Sequence, residues 1–233
     1  MLFRSPGPRS ARGRSSPLLW RLLRDGALAL AAATAVAAVA LAALTARVEG
    51  PSMSPTLRDG DLLLVDRVGP RLEPPARGDV VVIALNPSGV PGVKRVVAVP
   101  GDTVAIDGTH VDGPGGRPHP VVLLRPGGAG PWRQLDEPYL AGDWGRPEFC
   151  CDADGRAGGP APRPLTVPAG EFFVLGDNRG VSIDSRTFGL VPRDRILGRV
   201  LTRYWPVGRA GGLGPGASLA RSYADLDGST TGR

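Results

Sequence analysis

The sequence predicts a mostly β protein: a single β-rich domain behind one amino-terminal membrane-spanning helix. Three observations lead there. Residues 26–46 form an uncharged run of Ala, Leu, Val, Thr and one Gly. Short β-branched runs bounded by Gly, Pro and Asp follow, the texture of well-buried strands. No stretch beyond residue 47 carries the apolar period of an amphipathic helix.

Residues 1–25 hold six arginines (Arg4, Arg9, Arg12, Arg14, Arg21, Arg24) against one acid, Asp25, a surplus of +5 out of the chain's +6. The basicity therefore belongs to an arm, predicted to be disordered. The rest is nearly neutral, and no aromatic residues interleave with the basic run as a nucleic-acid platform needs. Nucleic acid is thus not expected as a partner. Residues 26–46 number 21, enough to cross about 30 Å of hydrocarbon as a helix. A cleaved secretory signal has a shorter apolar region. The arginines on the amino-terminal flank place that end in the cytoplasm and everything after Arg47 on the far side of the cytoplasmic membrane.

Just beyond stands Val48-Glu49-Gly50-Pro51-Ser52-Met53-Ser54-Pro55-Thr56-Leu57. Its glycine and two prolines argue for an exposed, extended loop presenting Ser52. Ser52 is six residues past Ala46, so it works within about 20 Å of the bilayer. Strand-like runs follow at 61–66, at 79–85 and over 92–102, with a short one at 103–106. The third contains Lys94, the only lysine; the other 27 basic side chains are arginine. Arg cannot readily lose its proton and Lys can, so a lone Lys in an Arg-rich chain is a candidate base. Strand periodicity puts Lys94, Val96 and Ala98 on one face, where apolar neighbours lower the lysine pKa.

Between residues 113 and 170, Gly and Pro make up 23 of 58 positions, which argues against a compact core there. This stretch reads as an insertion between two halves of one domain, with a single strand at 121–124. His110 and His119, the only histidines, read as surface or loop residues, so a serine nucleophile here would not use His. Cys150 and Cys151 are adjacent. They are too few for a disulfide framework or a zinc shell. A vicinal disulfide, an intermolecular bridge and two free thiols are all open, and free loop thiols are the simplest reading. A strand at 171–175 then runs into a charged turn, Gly176 to Arg186, whose acids Asp177 and Asp184 can pair with Arg179 or Arg186. A last strand spans 196–207, and 208–233 reads as a disordered tail.

Ser52, Lys94 and the Gly176–Arg186 turn with Ser182 form a serine–lysine constellation, a recognised variant of serine catalysis. At this point the sequence resembles the bacterial type I signal peptidase family. Gly50–Leu57 resembles its nucleophile motif, Arg77–Val82 a structural strand motif, Val93–Asp102 the general-base motif and Gly176–Arg186 the last motif. All four occur in family order behind the apolar run. The resemblance implies a β-rich peptidase domain over 47–207 with a variable region inside it. It implies Ser52 as nucleophile, Lys94 as general base and Ser182 as orienter of the lysine. Asp177, Asp184 and Arg186 would hold the site's shape. Ser52 N–H would serve the oxyanion. A second donor seen in some members falls at Gly50, which has only a backbone to offer. Gly180 and Val181 stand where Asp-Asn is often found. No cofactor or metal is implied. The expected partners are exported preproteins with small residues before the cleavage site, and the lipid bilayer. Another serine–lysine peptidase, such as a self-cleaving repressor, would need a DNA-binding domain where the apolar run stands. A membrane-tethered β domain that binds exported segments without cutting them is the alternative from another class.

Overall fold

The computed structural model describes residues 17–86, 88–111, 116–140, 144, 148–214 and 218–223. Two compact units emerge, one up to Ala43 and one from Leu44 onward. The first is helix α1, Pro17–Ala43, whose described side chains are exposed. It begins inside the arm expected to be disordered, with Pro preset for a first helical turn. It stops short of the expected end of the anchor, because Thr45–Arg47 form a strand. Among the described residues no helix is long and apolar enough to cross a membrane. The anchor over 26–46 therefore stands on the sequence pattern alone.

The second unit is built from antiparallel strands: β1 Thr45–Arg47, β2 Leu62–Asp66, β3 Val80–Ala84, β4 Pro91–Ala98, β5 Thr103–His110, β6 His119–Arg125, β7 Trp132–Asp136, β8 Leu165–Thr166, β9 Glu171–Leu175, β10 Val191–Pro192, β11 Ile196–Trp205 and β12 Ser218–Tyr223. Its α-helices, α2 Gly69–Leu72 and α3 Ser185–Phe188, are one turn each. One sheet has the order β1-β2-β11-β3-β4-β9-β10 and the other β12-β7-β6-β5-β8.

The apolar runs are continuous because both faces of the central strands are covered. Val80 and Val82 pack on one side with Met53, Leu57, Leu63 and Val65. Val81 and Ile83 pack on the other with Val96, Phe172 and Val174. Each fully buried side chain of this kind contributes about 1.5–3 kcal/mol of transfer free energy. A third cluster joins the two sheets through Val97, Ala98, Val104, Ile106, Leu124 and Phe173.

Several expectations are corrected. Among the described residues the 113–170 stretch holds three strands, not one, and forms much of the second sheet. Among the described residues its glycines and all its prolines but Pro120 sit in the connections, while Val121, Leu123, Trp132 and Leu135 supply buried positions. The tail beyond residue 208 is ordered in part: Gly211 bridges Arg203, and β12 pairs with β7. Residues 224–233 lie outside those described. Cys150 and Cys151 form a vicinal disulfide rather than free loop thiols. Both are buried, because Cys150 exchanges backbone hydrogen bonds with Ile106 of β5 and so enters the core.

Candidate active site

The serine loop is a tight turn, not an extended segment. Ser54 N–H donates to Pro51 O and Leu57 N–H to Met53 O. Met53 and Leu57 are both fully buried, and these two apolar anchors leave the preceding Ser52 half-exposed. The loop's ends are tied by Val48 N–H to Asp61 O and Gly60 N–H to Val48 O. Buried Asp61 fixes its base, pairing with Arg209 and lying 3.7 Å from Arg203. Gly50 N–H donates to Asp59 Oδ1 at 2.9 Å. The expected backbone donor at Gly50 is therefore spent inside the loop. Ser52 N–H makes no hydrogen bond among the described residues.

Lys94 sits on β4 in register with Val81 of β3. Val81 and Val96 beside it are fully buried, and Lys94 itself is 3% exposed. Alternation then breaks: a register shift between Val96 and Ala98 sends Ala98 into the cluster that holds Val97. The expected common face therefore holds for Lys94 and Val96 and fails at Ala98. Lys94 Nζ lies 3.2 Å from Ser52 Oγ and 3.0 Å from Val93 O. Burial pulls the lysine pKa below its ordinary value; the charges of Asp184 and Asp177 oppose this and only partly offset it. A buried amine of lowered pKa within reach of a serine hydroxyl can take that hydroxyl's proton.

The Gly176–Arg186 turn closes over the serine loop. Asn178 N–H donates to Ser52 O at 3.0 Å, and Asn178 Nδ2 to Pro51 O. Asp184 caps α3 and accepts from Gly176 N–H at 3.0 Å. Arg186 grips Asp184 through Nε and Nη2, both at 2.8 Å. Burial lowers the Arg186 pKa, but the bonds to Asp184 outweigh it, so the guanidinium stays charged. Asp177 pairs with Arg95, the residue after the lysine, by two bonds of 2.9 and 2.7 Å, and not with Arg179 as the sequence suggested. Arg95 also reaches Gly78 O at 3.0 Å, tying the Arg77-Gly78-Asp79 stretch to the site.

Ser182 does not make its expected bond. Its Oγ is buried without a partner among the described residues, and the lysine's bonds go to Ser52 and Val93 instead. His110 and His119 pair with each other across β5 and β6, their ring centroids 5.4 Å apart. Sequence reasoning missed Arg95, Asn178 and Glu137, and gave Arg179 a different acid from the one it finds. The adjacency of Arg95 to the lone lysine was the one available signal, since a strand sends neighbours to opposite faces.

Gly176 admits no larger residue. A Cβ there would lie 2.5 Å from Ser52 O and would overlap Ser182 Oγ. Gly176→Ala is expected to push the turn off the serine loop and lower kcat/KM about 10- to 100-fold, the equivalent of about 1–3 kcal/mol of overpacking. Steady-state kinetics beside a circular dichroism melt would check it; unchanged kinetics would show that the turn can shift freely.

Comparison with known proteins bears on the same residues. A family model described as signal peptidase, peptidase S26, matches residues 19–205. A signal peptidase I of Leptolyngbya laminosa is 36% identical over 176 residues, 70% of each chain. A signal peptidase IB of Staphylococcus aureus (strain COL) is 36% identical over 168 residues, 68% of this chain and 76% of the relative. A solved signal peptidase I from Enterococcus faecalis aligns over 55% of this chain and 97% of its own at 27% identity, with a TM-score of 0.37.

Proposed function

The chain belongs to the signal peptidase family, peptidase S26, and is a protease by that membership; from this premise we propose that it is a membrane-anchored serine endopeptidase that removes signal peptides from exported preproteins. Ser52 is the nucleophile and neutral Lys94 the general base. The observation that carries the reading is the 3.2 Å separation of a buried Lys94 Nζ from Ser52 Oγ.

The chemistry follows from that pair. Neutral Lys94 accepts the Ser52 hydroxyl proton as Oγ attacks the scissile carbonyl carbon. Such proton transfer contributes about 10²–10⁴-fold. The tetrahedral oxyanion faces Ser52 N–H, which has no other partner among the described residues; one such donor is worth about 10²–10³-fold. The C–N bond breaks, and the Lys94 ammonium returns its proton to the departing amine of the mature protein. Water, deprotonated by Lys94, then cleaves the acyl-enzyme and frees the signal peptide.

The substrate segment before the junction binds as an extended strand, so backbone hydrogen bonds give affinity and small side-chain pockets give choice. Residues 26–46 anchor the enzyme with its amino terminus in the cytoplasm. Confining enzyme and preprotein to one bilayer raises their effective concentration.

The test is cleavage of a model preprotein by the purified full-length protein, with the products weighed by mass spectrometry. One cut after the small residue at the junction is expected, and none when a bulky residue replaces it. Binding of the signal segment without cleavage would overturn the peptidase reading in favour of a tethered binding domain.

A further inference from the structure

Lys94 and Ser52 are flanked by more positive charge than their own strand and turn can neutralise. Arg95, Arg179 and Arg186 face only Asp177 and Asp184 within those elements. The missing carboxylates come from Glu137 and Glu148, neither of which carries a reacting atom. Glu137 accepts two hydrogen bonds from Arg179, one of them 3.0 Å long, and both side chains are buried. Burial would lower the Arg179 pKa, but Glu137 more than offsets that, so the guanidinium stays charged. Glu148 accepts from Arg186 Nη1 at 2.7 Å. The Trp144 ring lies against both guanidinium groups, 4.6 Å from Arg179 and 5.3 Å from Arg186.

These two arginines hold the turn where catalysis needs it. Arg179 Nε donates to Gly176 O at 3.0 Å, on the residue that packs against Ser52 O. Arg186 fixes Asp184 and donates to Arg179 O at 2.8 Å. Asp184 and Asp177 are the charges that act on Lys94. An arginine has many rotamers, and a planar ring with a buried carboxylate removes most of them.

We propose that Glu137, Trp144 and Glu148 act as a positioning clamp on the catalytic turn, holding Arg179 and Arg186 so that Gly176, Asn178 and Asp184 stay in register with Ser52 and Lys94. The proposal rests on the peptidase reading above. The clamp touches neither substrate nor reacting atoms; it acts through the turn. Its loss therefore lowers the fraction of enzyme poised to react and leaves substrate affinity nearly alone.

The test is a set of four full-length variants assayed on the model preprotein beside wild type. Trp144→Phe keeps an aromatic face; Trp144→Leu keeps bulk without one. Glu137→Asp keeps the charge; Glu137→Gln keeps the shape without it. Trp144→Leu and Glu137→Gln are expected to lower kcat about 10-fold, the worth of a desolvated cation–π contact or charged hydrogen bond, with KM within about twofold. Trp144→Phe and Glu137→Asp are expected to recover most of that loss. Wild-type kcat in both Trp144→Leu and Glu137→Gln would overturn the clamp. So would a rise in KM at constant kcat, which marks a substrate contact. Equal losses in the conservative and disruptive variants, tracking their melting temperatures, would reduce the segment to fold support. If one disruptive variant fails to fold, the pair at the other position decides alone. Failure of wild type itself to cut would overturn the peptidase reading and with it the clamp.

Discussion

Ser52→Ala is expected to lower kcat/KM for preprotein cleavage by about 10⁴-fold or more, the scale seen when a serine nucleophile is removed from a catalytic unit. The fold should hardly notice. Ser52 is half-exposed, and the turn holds it through its backbone carbonyl, while its hydroxyl contacts only Lys94 Nζ at 3.2 Å. Met53 and Leu57 still anchor the loop, and Asp61 still ties its base. Losing that one hydrogen bond to Lys94 costs about 1 kcal/mol. The check is a cleavage assay beside a thermal melt. Undiminished turnover by a folded Ser52→Ala would remove Ser52 as the nucleophile.

Lys94→Arg is expected to be as damaging to kcat, for a different reason. Arg keeps the charge but does not give up its proton at any working pH, so no base remains. It is also too large for the site: Lys94 is buried beside Val81 and Val96, and its Nζ already contacts Ser52 and Val93. Lys94→Met separates the two effects, since it removes the base and keeps an apolar stem. It is expected to be equally inactive yet more stable than wild type at neutral pH. The sign follows from linkage. Burial lowers the folded-state pKa of Lys94, so the unfolded chain binds more protons, and ΔG of unfolding rises with pH between the folded pKa and the ordinary lysine value. At neutral pH that penalty stands, and a side chain with no charge does not carry it. Activity has the matching profile. Cleavage is expected to rise with pH through the lowered Lys94 pKa and to fall in acid as the ammonium forms. A pH–rate profile on wild type and melts of all three proteins check these points. Equal cleavage by wild type and Lys94→Met would place the base elsewhere.

Much of the site was legible because its chemistry is local in the chain. The serine between two prolines, the single lysine and the charged turn could each be read from neighbouring residues. So could the central strands, since both their faces are buried and their runs are continuous. Family resemblance then joined the separate stretches. The turn conformation of the serine loop was missed because prolines exclude long helices but allow a single turn anchored by Met53 and Leu57.

The sequence by itself determined the β class, the apolar run of 26–46 and the two candidate side chains for the chemistry, because periodicity, charge and residue chemistry act over a few residues. Only the tertiary structure decided how the charges are shared. Arg95 finds Asp177 across 82 residues, and Arg179 finds Glu137 across 42. Arg209 finds Asp61 across 148. The first two pairs are buried and the third is buried on its acid side; in each the partner is set by strand register and by which loop folds over which sheet. Any acid satisfies an arginine in the sequence; in the folded chain only the one brought within hydrogen-bond reach, away from water, can do so. The same holds for the 113–170 stretch: its few apolar residues make a sheet only because β5 and β12 complete it from outside.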